Sequence, residues 1–219
     1  MKNSNKNLSA ACIVLLLLAG AASCKKNNYL NDGGTNNPHT TLSTYDYLKN
    51  NSYHDFDSTI LLIDHFNLKD SVNKAGTFFA FTDYAINLFM LNNNYSSMQQ
   101  LYDSVSSRLL TQYMFGSKDI TLDNVTTTTV AYPNWASDTV LSGVRKIALT
   151  YPLYLTNSQP NFTYYTLQYV KINGVVDGSI GAPANDPTDI YLSCQTTGIL
   201  TSSGTTLHVL VNNALLRRL

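Results

Sequence analysis

The sequence predicts an α+β fold, a β-sandwich-like pair of small sheets with several helices packed over one side, mostly from the N-terminal half. Three observations lead there. Thr and Asn number 24 each and Tyr 15, whereas Glu is absent and all 14 acidic residues are Asp. Thr and Tyr suit half-buried strands, and Asn and Asp suit turns and helix caps. Up to Gly116 the apolar residues recur at helical spacing, and beyond it they alternate with the period of two that strands require. With 44% hydrophobic residues in a chain of 219, one domain with extensions can bury a core.

Residues 1–23 read as a signal peptide. Lys2 and Lys6 precede an apolar run over Ala10–Ala22 that is too short to span a bilayer, which takes about 20 residues. Ala21-Ala22-Ser23-Cys24 resembles the lipobox of bacterial lipoproteins, with Ala21 where Leu is usual. That resemblance implies lipidation of Cys24, and the several acyl chains of such an anchor give lasting membrane attachment. Cleavage nearby without lipidation is the alternative. Residues 24–41 are polar, carry Gly33-Gly34 and Pro38, and form a flexible tether to a domain over 42–219. Loss of the leader removes Cys12 and lipidation occupies Cys24, so Cys194 has no partner for an internal disulfide and reads as a buried, inert thiol.

Ser43-Thr44-Tyr45-Asp46-Tyr47-Leu48 opens a short helix capped by Ser43. Asp57-Ser58 caps a second, whose Ile60, Leu61, Ile63 and Phe66 form one stripe. Thr77–Phe81 is a buried strand that runs directly into a helix over Tyr84–Leu91. Thr82 or Asp83 supplies a side-chain oxygen to that helix's free N–H groups. Asn92-Asn93-Asn94 stops it, and another helix covers about Ser97–Tyr113. Asp119–Leu122, Ile147–Tyr151 and Tyr164–Ile172 alternate as strands, the last ending at Asn173-Gly174. Residues 124–137 form an enlarged loop. Ile190–Cys194 and Leu207–Val211 close the chain as strands joined by a hairpin over Gly198–Gly204.

Two segments carry a family resemblance. Thr77-Phe78-Phe79-Ala80-Phe81-Thr82-Asp83-Tyr84-Ala85-Ile86 resembles the first signature of the fasciclin-like domain, TVFAPTDEAF, and Gly204–Val211 resembles the second, NGVVHVID. Leu109–Met114 is similar to the family's LLxYH segment, Asp138–Gly143 to its TLxG turn, and Tyr45–Lys49 to its first helix. Phe81 replaces a Pro, Met114 a His, and Val211 or Asn212 an Asp. The resemblance implies a wedge-shaped, fasciclin-like β-sandwich with both signatures neighbouring in the core. It gives Thr77, Phe79, Thr82, Asp83, Tyr113, Gly204, His208 and Val209 structural roles. It also implies adhesion in place of turnover.

No residue pattern nominates a catalytic set. His54 with Asp55 and Asp57 matches neither HExxH nor an EF-hand, and those Asp read as solvated caps. His39 lies in the tether, His65 on a helix boundary, and His208 in a core strand as a structural imidazole. There is no GxSxG elbow and no phosphate-binding glycine loop. Zero formal charge, with no long basic run, disfavours nucleic acid. No cofactor or metal is expected. Thr126–Trp135 concentrates hydroxyls with Tyr132 and Trp135, a possible surface for a sugar or a protein, although Trp135 packed beneath its own loop is the favoured reading. The expected function is a lipid-anchored, non-catalytic adhesion module of the cell envelope. It would contact membrane only through its lipid, sit at the outer membrane, and bind an extracellular polymer or protein. Alternatives are an accessory component of an outer-membrane glycan or nutrient uptake system and an enzyme acting on envelope polymers.

Overall fold

Five consecutive residues, Thr77–Phe81, have no exposed surface in the computed structural model, which describes residues 37–151 and 162–216. A strand with both faces buried needs cover above and below, and near-continuous apolar character follows from that. Strand β1 (Thr77–Ala80) also has both edges occupied. It pairs antiparallel with β2 (Met114–Phe115) and parallel with β7 (Thr206–Leu210), with Phe78 opposite Leu207 and Phe79 opposite His208.

Between them run β3 (Val130–Asn134), β4 (Ser137–Tyr151), β5 (Phe162–Lys171) and β6 (Ile190–Leu200). Each strand pairs antiparallel with the next in sequence, and the parallel β7–β1 contact closes the circuit into a seven-stranded barrel. The predicted β-sandwich, wedge-shaped or otherwise, is therefore wrong. One hydrogen-bonded ring replaces two facing sheets, because β7 returns to β1 and leaves no sheet edge to separate them.

The helices correct the prediction as well. Among the described residues they are α1 (Thr44–Lys49), α2 (Asp57–His65), α3 (Lys69–Lys74), α4 (Asp83–Asn92), α5 (Met98–Ser104) and α6 (Arg108–Thr111). None exceeds ten residues, so they pad the barrel without forming a layer of their own. The single helix expected over 97–113 breaks at Val105, which is extended (φ −127°, ψ 163°). Its Ser104-Val105-Ser106-Ser107 run is poor in helix formers, since Val loses rotamers in a helix and Ser bonds locally to backbone.

Two more expectations change. Asp119–Leu122 is turn and coil, not strand, and the expected loop over 124–137 contains β3. Strands β4 and β5 pair from Ser142–Lys171 out to Tyr151–Phe162, while β6 joins β5 only over Gln168–Lys171. The outer part of that hairpin thus projects beyond the ring as a ribbon.

Phe79 anchors the aromatic core. Its ring lies 5.7 Å from Phe115, 5.8 Å from Tyr169 and 4.8 Å from the His208 imidazole, and Tyr113 meets Tyr169 at 4.5 Å. Tyr169 keeps its hydroxyl satisfied through the Ser142 hydroxyl at 2.8 Å, to which the Asn134 amide also donates.

The compact unit begins at Pro38. The Leu200 N–H donates to the Pro38 carbonyl at 2.8 Å, and the Thr40 N–H donates to Leu200 at 2.9 Å. The last residues of the expected tether thus run along the end of β6. The signal peptide, Cys24 and the tether through residue 36 lie outside the described residues. No helix among the described residues is long and apolar enough to cross a membrane.

Candidate functional site

Strand β6 is irregular, and that irregularity builds a cleft. Its register against β7 shifts between Cys194 and Thr196 and again between Thr196 and Ile199. Extra residues at such bulges turn side chains away from the ladder. Gln195 and Thr196 are exposed there, and Gly198 takes φ +80°, a conformation that suits glycine. Opposite them stands the loop from α1 to α2, where His54 also has positive φ (56°).

The cleft between the two has a volume of about 290 Å³. Tyr47, Asn51 and Asp55 line one side, Gln195, Thr196 and Asn212 the other, with Phe56, Thr82, Ile199 and Val209 completing it. Asp55 is the sole charged side chain among the described lining residues.

Several of these groups are pre-set. Asn51 Oδ1 accepts the Tyr53 and Asp55 backbone N–H groups at 3.1 and 3.2 Å. Asn212 Oδ1 accepts from Thr82 Oγ1 at 2.9 Å and from Gln195 Nε2 at 3.4 Å. The Asp55 carbonyl accepts the Asp83 N–H at 2.8 Å, which ties the loop to the start of α4.

The signature residues fall where they support this arrangement. The β1 and β7 segments that carry the resemblance are hydrogen-bonded neighbours. Thr77 Oγ1 donates to the Ser117 carbonyl at 2.7 Å, and Tyr113 is buried beside Phe81 with ring centroids 5.4 Å apart. Gly204 sits in the β6–β7 turn at φ +86°. Val209 is buried and lines the cleft.

Thr82 holds the position of N-cap to α4 but makes no capping bond, its hydroxyl being directed to Asn212. Asp83 caps a different helix: its Oδ1 accepts the Ser58 N–H at 2.8 Å, in the first turn of α2. The expected cap of α4 is thus redirected, and Asp57, expected to cap α2, is its first residue. Burial raises the Asp83 pKa above its usual value against the lowering effect of the Ser58 bond, with the Asp57 charge adding to the rise.

The two most intrinsically reactive groups of the barrel are locked into its structure. His208 is fully buried, with Nε2 2.8 Å from the Ile120 carbonyl and Nδ1 accepting the Gly198 N–H at 3.1 Å. That pair of contacts fixes the neutral tautomer with the proton on Nε2. Burial lowers its pKa to about 4, opposed by the bond to Ile120. Cys194 is a buried free thiol whose pKa is pushed well up by burial.

Tyr132 and Trp135 lie apart from the cleft lining. Tyr132 is half-buried on β3, its ring edge-on to Phe115 at 6.2 Å. Trp135 occupies the β3–β4 turn, 40% exposed, and its backbone N–H donates to Met114 at 3.0 Å. Sequence reasoning missed the cleft entirely. Its polar residues come from four separate stretches of the chain, and the one local signal was Gly198 interrupting an otherwise strand-like run.

No protein-family model, curated protein or solved structure matches the chain.

Proposed function

We propose that the chain is a non-catalytic binding module of the cell envelope, anchored through a lipid on Cys24, that recognises an extracellular polymer or protein. One observation carries this reading. The imidazole and thiol carried by the barrel strands, His208 and Cys194, are sealed into the barrel, while the open cleft presents hydroxyl, amide and carboxylate groups suited to holding a ligand. The lipobox-like Ala21-Ala22-Ser23-Cys24 and the adjacency of the two fasciclin-like segments support it further.

The test uses the full chain expressed in a bacterial host. The wild-type protein should fractionate with membranes, and once purified should be retained on immobilised envelope polysaccharide or on an identified envelope protein. Cys24→Ser should move it to the soluble fraction or stall its processing. Unchanged partitioning would refute the anchor, and retention by no such partner would refute the binding role.

A further inference from the structure

The cleft is small and polar, and its chemistry discriminates among ligands. Pockets for small molecules commonly span about 300–1,000 Å³, so 290 Å³ admits one compact group and not a bulky one. The Asp55 carboxylate, with no Lys or Arg beside it in the lining, repels anions. An apolar ligand would strip water from Asp55, Gln195 and Asn212 without replacing its hydrogen bonds, a penalty on each buried polar group. A simple cation would satisfy one carboxylate and leave the amide donors idle.

A neutral polyol meets every condition. Asn51 and Asn212 have their carbonyl oxygens occupied within the protein, which leaves each Nδ2 as a donor. Gln195 gives its Nε2 to Asn212 and keeps Oε1 as an acceptor. The Asp55 carboxylate accepts only, and the Tyr47 hydroxyl does both. Neighbouring hydroxyls that each donate and accept match this mixed set, while Ile199 and Val209 offer apolar surface to ring C–H groups. We propose that the cleft between the α1–α2 loop and the β6 bulge binds a single neutral hexose unit, the recognition element for an envelope glycan. This assignment rests on the reading of the chain as a binding module.

The experiment titrates the purified full chain with D-glucose, D-galactose, D-mannose and N-acetyl-D-glucosamine. D-glucuronate and methylamine serve as charged controls, and binding is followed by saturation-transfer NMR and calorimetry. At least one neutral sugar should bind, with both charged controls at least tenfold weaker. Asp55→Asn should weaken that sugar by roughly tenfold or more, as loss of a charge-assisted bond does. Gln195→Ala, at an exposed position whose hydrogen bond to Asn212 is long, should weaken it several-fold with little change in thermal unfolding. Failure of all four neutral sugars to bind, equal binding in both variants, or binding led by a charged control would overturn the assignment. If the chain is still retained on polysaccharide or an envelope protein after both substitutions, the cleft assignment falls and the binding module stands. If the unsubstituted chain is retained on none of these partners and binds none of the sugars, both fall.

Discussion

His208 shows how a barrel can seal an imidazole into its interior and hold both ring nitrogens by hydrogen bonds. In an alternating Leu207-His208-Val209 run its placement in a strand is legible from sequence, and a structural role follows from the apolar neighbours. Its two partners are not legible. The Gly198 N–H reaches it only because β6 bulges, and the Ile120 carbonyl reaches it from a segment 88 residues away.

The cost of protonating it appears in the pH dependence of stability. Its folded pKa of about 4 lies below an unfolded value of about 6.5, so on acidification the unfolded chain takes up a proton first. Stability from this group is complete above pH 6.5 and drains away as pH falls toward 4, by roughly 3 kcal/mol in all. Asp83 acts oppositely: its raised folded pKa means that the folded state binds that proton first, which relieves a cost on acidification. Urea unfolding of the full chain at pH 7 and 5.5 should therefore show a loss that His208→Gln lacks. The variant should be less stable at pH 7 by about 1–3 kcal/mol, from two compromised buried hydrogen bonds. An unaltered pH slope in the variant would remove His208 from the explanation.

Between strand and helix, the Thr82-Asp83 pair joins elements in a way that spacing alone does not specify. The positions of β1 and α4 were readable from a four-residue apolar run, Phe78–Phe81, followed by a capping pair. The recipients of the two side chains were not, because α2 and Asn212 approach only after the barrel closes. Asp83 supplies an external cap to α2, whose own N-cap position holds Phe56 and makes no side-chain bond. Asp83→Ala should lower stability by about 1–2 kcal/mol, the usual range for a lost cap, and Asp83→Asn by less, since an amide oxygen still accepts from Ser58. Thermal denaturation at pH 7 checks this, and equal losses for Ala and Asn would deny the cap.

The same limit explains the strands that were missed. β2 has two residues, too few to show alternation, and β3 mixes exposed residues with Pro133. β6 beyond Cys194 loses its period at the bulges. By contrast β5, a ten-residue strand, was found almost to its ends from the alternation read over Tyr164–Ile172.

Taken as a ring, the barrel depends on its parallel seam. The Thr206 N–H donates to the Gly76 carbonyl at 2.8 Å, and four residues of β1 pair with four of β7. That seam buries Phe79 against His208, brings Val209 to the cleft, and leaves β6 as the strand whose bulges face the α1–α2 loop. The family resemblance implied that the two segments neighbour each other in the core, but within a β-sandwich and not a closed ring. Pairwise adjacency was visible, whereas closure depends on how all seven strands go round. Amide hydrogen exchange on the full chain tests closure most directly. The amides of Phe78–Ala80 and Leu207–Leu210 should be among the slowest, opening only with global unfolding. Exchange of either strand on the fast timescale of an unpaired edge would contradict the closed barrel, and with it the placement of His208 and the cleft.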